Sequence, residues 1–107
     1  RRTSMSKKFT HDQLMTLIAE AAVDFQLAEI LRNSLKRELS AMYATYFQAH
    51  GRPGNGERTR FDFEDPAYQG VVRFTEGAYG RWYDQRALTT RLKRRLRTLV
   101  ERLERAK

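Results

Sequence analysis

Between Thr10 and His50 the chain carries neither glycine nor proline. From Leu14 its apolar residues step alternately by four and three, through Ile18, Ala21, Phe25 and Ala28, past Arg32, to Leu35, Leu39, Met42 and Tyr46. A period near 3.5 residues keeps one stripe on one side of an α-helix and turns it toward a second helix packed alongside. The segment therefore predicts one helix over about residues 10–49, roughly 55 Å long at about 1.5 Å per residue. Its start is marked at "FTHDQL". Thr10 can accept from backbone N–H groups, Gln13 can reach back from three residues on, and Phe9 and Leu14 are spaced as a hydrophobic staple. A further stripe of Leu17, Leu27 and Leu31 is expected to widen the buried face and to meet more than one neighbouring helix.

The helix has to end at "HGRPGNGERTR", where three glycines and Pro53 fall within six residues. "RTRFDFE" alternates polar and aromatic residues, but a lone strand needs a partner. It reads as loop packed by Phe61 and Phe63, so that the connection covers about residues 50–65. Asp65 suits an N-cap and Pro66 a first helical residue. The same four-three stepping then runs through Tyr68, Val71, Thr75, Ala78, Trp82, Gln85, Thr89, Leu92, Leu96, Leu99 and Leu103, which predicts a second helix over about residues 66–106. Gly70, Gly77 and Gly80 each cost that helix about 1 kcal/mol relative to alanine. They mark either a kink near Gly77–Gly80 or places where another helix comes close beside bulky aromatics.

Two long helices joined by one reversal define an all-α fold, a long antiparallel helical hairpin over residues 10–107 as a single domain, preceded by a basic N-terminal arm at residues 1–9. Pairing of two hairpins into a four-helix bundle, a homodimer, is expected because it buries the extra leucine stripe and enlarges the modest core of a 107-residue chain. Residue 1 is arginine, so Met5 is the expected natural start. The absence of cysteine excludes disulfides and thiolate chemistry and fits a reducing, cytoplasmic setting. No apolar run reaches the roughly 18 residues of a membrane span, so a soluble protein is expected.

A formal net charge of +8 calls for an acidic partner of some kind. Nine of the basic residues and only two acidic ones lie in residues 86–107, a local net of +7, while residues 9–31 carry Asp12, Glu20, Asp24 and Glu29 and no lysine or arginine. A hairpin lays these two segments side by side. Arg91, Arg95 and Arg102 flank the leucine stripe and are expected to pair with those carboxylates. Arg94, Arg97 and Arg105 lie further round and, with Lys7 and Lys8 of the arm, are the candidate nucleic-acid contacts. A membrane-lying helix is disfavoured, because the face of Leu92, Leu96, Leu99 and Leu103 is narrow and wholly aliphatic.

Chemistry is sparse. His11 and His50 sit at helix ends and outside any metal-ligand spacing, so neither metal nor cofactor is expected. Arg32, charged where the stripe is apolar, either snorkels or meets Glu29 or Glu76; an enzyme with an anion site centred on it is the distant alternative. The candidates for binding another protein are Phe61, Phe63, Arg73, Tyr79, Arg81, Trp82 and Tyr83, because Tyr, Trp and Arg bring large contact area and polar handles to interfaces. Much of this aromatic group is expected to be core shared with Tyr43, Tyr46 and Phe47. The resulting expectation is a non-enzymatic protein that binds and modulates another protein near the hairpin loop, with a nucleic-acid-binding accessory role as the alternative.

Overall fold

The computed structural model describes residues 8–53 and 61–106. The basic arm up to Lys7 and the loop segment 54–60 lie outside the described residues. Helix α1 spans His11–His50, a 3₁₀ turn spans Pro66–Tyr68, and helix α2 spans Gln69–Arg105. There is no strand among the described residues.

Each boundary has a local cause. At the start of α1 the Thr10 amide donates to Gln13 Oε1 at 2.9 Å and the Gln13 amide donates to Thr10 Oγ1 at 3.1 Å, the reciprocal capping expected from the sequence. At its end Gly51 takes a positive φ of 78° and donates to the Phe47 carbonyl at 2.7 Å, a left-handed cap that a residue with a Cβ adopts only at a cost. Asp65 caps the next element, its Oδ1 accepting from the Ala67 amide at 2.9 Å. Here the outcome differs slightly from the sequence reading. The first turn from Pro66 is 3₁₀, tightened by the Tyr68 amide bonding to the Asp65 carbonyl at 2.9 Å, and α-geometry begins only at Gln69.

The chain divides into two compact units, Arg1–Glu29 with Ala87–Lys107, and Ile30–Arg86. In the first, the opening of α1 packs antiparallel to the end of α2. Leu14, Ala21 and Leu99 are buried, and Phe9, Leu17, Ile18, Leu96 and Leu103 pack against them. Fully burying a leucine is worth about 1.5–3 kcal/mol. The same unit contains a polar tie between helices, in which the buried Thr89 hydroxyl donates to the Ala28 carbonyl at 3.2 Å. In the second unit Leu39, Tyr68, Val71, Thr75 and Ala78 are buried. Thr75 satisfies its hydroxyl within its own helix, on the Val71 carbonyl at 2.8 Å.

Every buried side chain, including Ala28, Thr75 and Thr89, belongs to one of the two stripes read from the sequence. Leu27 and Leu31 are 61% and 48% exposed, so the stripe expected to meet a second hairpin is, apart from half-buried Leu17, not covered within the chain itself. Helix α2 continues through Gly77 and Gly80 without a break. Of the three helical glycines only Gly70 permits a close approach: a Cβ there would run into the Tyr46 hydroxyl, whereas nothing lies within 4 Å at Gly80 and only the end of Arg81 comes near Gly77, at 3.4 Å.

Candidate functional site

The described end of the connection is built on aromatic rings of the second unit. Phe61 is the hub: its ring centroid lies 5.4 Å from that of Tyr43, 4.8 Å from Tyr68 and 4.8 Å from Phe63. Tilted and edge-on contacts of this kind add about 0.5–1.5 kcal/mol each beyond area burial. Phe63 is held from the backbone side, where Gln69 Nε2 donates to its carbonyl at 3.0 Å. Its ring stands edge-on to Tyr79, with centroids 5.9 Å apart and an interplanar angle of 67°. Tyr79 in turn meets Trp82 at 5.6 Å and Tyr83 at 6.1 Å.

This arrangement separates the seven predicted protein-binding residues. Phe61 and Trp82 are half-buried members of the packing, with Lys36 Nζ lying 4.6 Å and Arg86 5.5 Å from the Trp82 ring. Arg81 reaches across to Glu38 at 3.5 Å, an exposed pair worth about 0–1 kcal/mol. Phe63 and Tyr83 are 49% and 53% exposed, and Arg73 is also exposed. Phe63 and Tyr79 share a cleft of about 280 Å³ with Val72, Thr75 and Glu76. Those last three were not in the predicted set. Their spacing was the available signal, because residues 72, 75, 76 and 79 recur at three and four and so form one ridge of a helix. Phe74, 47% exposed beside Tyr46 at 5.6 Å, was also outside it.

Charge divides between the ends of α2. Residues 61–84 hold Asp62, Glu64, Asp65, Glu76 and Asp84 against Arg73 and Arg81, a net of −3 in a chain of net +8. In the first unit Lys8, Arg94, Arg97 and Arg105 are exposed, as expected, while Lys7 lies outside the described residues. The expected neutralisation of Arg91, Arg95 and Arg102 is corrected. Although the two segments do pack together, no ion pair within 4.0 Å joins these arginines to Asp12, Glu20 or Asp24 among the described residues. Arg102 lies over the Phe9 ring at 6.0 Å instead. Side-chain entropy and solvation make the gain from exposed pairs too small to fix long side chains in one geometry.

Arg32 is half-buried, and its Nε and Nη2 donate to Asn33 Oδ1 at 3.3 and 3.2 Å. Among the described residues no group of three or more His, Asp or Glu side chains is arranged to hold a metal ion. No helix among them is long and apolar enough to cross a membrane. No protein-family model matches the chain, and no curated protein or solved structure is detectably similar to it.

Proposed function

We propose that this is a non-enzymatic binding protein that docks on and modulates another protein through the aromatic face of its second unit. The observation that carries the reading is the cleft of Phe63, Val72, Thr75, Glu76 and Tyr79, with exposed Tyr83 stacked against Tyr79. Half-exposed aromatics beside a concave apolar surface are the composition of interface hot spots. The Glu76 carboxylate in the cleft, which forms no ion pair among the described residues, favours a partner face that brings a cation. A photo-reactive phenylalanine analogue placed at position 63 is expected to cross-link a protein from cells expressing the chain, and the product should disappear with Tyr83→Ala and persist with Arg94, Arg97 and Arg105 changed to glutamine. Equal cross-linking from position 63 and from position 105 would remove the reading.

Nucleic-acid binding is the second reading, supported by the exposed Arg94, Arg97 and Arg105 and by the lack of ion pairs on Arg91, Arg95 and Arg102 among the described residues. Titrating random duplex DNA and single-stranded RNA across salt decides it. Submicromolar affinity with a log–log slope of several units favours nucleic acid over the first reading.

Pairing with a second copy belongs to the same proposal. Val23 and Leu27 of the first unit are 56% and 61% exposed, beside Glu20 and Asp24, which form no ion pair among the described residues. A second hairpin would cover the leucine and bring its own arginines to these carboxylates. Sedimentation as a monomer at micromolar concentration would exclude it.

A further inference from the structure

We infer that the corner between Phe63 and Tyr79 is a receptor for one cationic side chain, arginine or lysine, of a basic partner. This rests on the docking reading above and names the chemistry of its partner. The two rings stand at 67° with centroids 5.9 Å apart, so they form two walls rather than a flat stack. Val72 and Thr75 are half-buried and buried, and line the inner part of the cleft. Thr75 brings no free donor, since its hydroxyl is committed to the Val71 carbonyl at 2.8 Å. An apolar stem can therefore lie against half-buried Val72 while its charged head meets the half-exposed Phe63 ring and the Glu76 carboxylate.

Three further facts narrow the occupant. Glu76 is exposed and forms no ion pair among the described residues, even with Arg73 one turn earlier, so its charge is available. The cleft, of about 280 Å³ and lined by five side chains, has room for one arginine or lysine side chain. Residues 61–84 carry five acidic and two basic residues, whereas residues 86–107 carry nine basic and two acidic ones, so a cationic peptide is disfavoured on the arginine-rich part of α2.

The test uses the full chain and a nine-residue arginine–alanine peptide, with the same peptide carrying neutral citrulline as its isostere. Backbone amide shifts are followed by NMR at 25 mM NaCl, with affinities repeated at 300 mM. The expected result is saturable shifts centred on Phe63, Glu76 and Tyr79, and binding of the citrulline peptide weaker by about tenfold. E76Q and F63L should each weaken the arginine peptide by about three- to fivefold, the scale of an exposed ion pair and of an exposed cation–π contact. F63L keeps apolar area while removing the ring face, and both sites are on the surface, so the amide spectrum away from the cleft should not change. Shifts centred elsewhere, equal binding of the citrulline peptide, or an unchanged affinity in both variants would overturn the inference. Protein cross-linking from position 63 together with equal binding of the arginine and citrulline peptides would separate the two claims: docking would stand and the cationic receptor would fall.

Discussion

The contact between Gly70 and Tyr46 gives the sharpest test of how the second unit is packed. In Gly70→Ala the new Cβ would overlap the Tyr46 hydroxyl, and Tyr46 has little room to withdraw, because its ring is already placed against His50 at 4.4 Å and Phe74 at 5.6 Å. Overpacking of this sort costs about 1–3 kcal/mol. Alanine also favours the helix over glycine by about 1 kcal/mol, which partly masks the clash. Gly80→Ala is the internal control, since nothing lies within 4 Å of its Cβ and the helical gain is the same. The difference between the two variants isolates the clash, at about 1–3 kcal/mol. At about 4–8 °C per kcal/mol for a domain of nearly this size, Gly80→Ala should melt visibly above the parent and Gly70→Ala well below Gly80→Ala. Tyr46→Phe removes the hydroxyl and leaves ring carbon Cζ as the nearest atom, 3.1 Å from the new Cβ, so relief should be partial. A double-mutant cycle in urea should return a favourable coupling of about 0.5 kcal/mol or more. Equal stabilities of the two alanine variants within about 0.5 kcal/mol, with no coupling to Tyr46, would refute the packing described.

Three further outcomes follow from single contacts and are checked by urea or thermal denaturation. Tyr68 is 1% exposed and its hydroxyl has no hydrogen-bond partner among the described residues, so Tyr68→Phe should raise stability by about 1 kcal/mol; a loss would mean that the hydroxyl is satisfied. Thr89→Val should cost about 1 kcal/mol through the bond to the Ala28 carbonyl while Thr89→Ser keeps that bond, and the argument fails if valine is the more stable of the two. Thr10→Ala removes the acceptor of the 3.1 Å bond from the Gln13 amide and should cost about 1 kcal/mol, with helicity lost first at the α1 terminus by hydrogen exchange.

The identity of the buried residues was legible because it depends on local periodicity. Four-three stepping fixes which side of a helix each residue occupies whatever lies opposite, and so Leu14, Ala21, Ala28, Leu39, Tyr68, Val71, Thr75, Ala78, Thr89 and Leu99 were all marked in advance. The helix ends at Thr10, Gly51 and Asp65 were legible for the same reason, since capping acts over three or four residues.

The candidate site was legible only in part. Phe63 and Tyr79 were marked by residue type, but sixteen positions separate them in sequence, and their meeting is set by the loop folding onto α2 through Phe61 and the Gln69 bond. Glu76 became part of a site only once that ring stood beside it.

Sequence by itself determined two helices, their caps and their buried stripes, because each depends on groups within about one turn of one another. Tertiary structure alone decided that Gly70 and not Gly80 is crowded, that Arg102 lies over Phe9 rather than on a carboxylate, and that Leu27 stays uncovered in the chain. Those choices depend on distances between side chains far apart in the chain. Where the competing contacts differ by about 1 kcal/mol or less, as they do between exposed charges, residue pattern alone carries too little energy to select one.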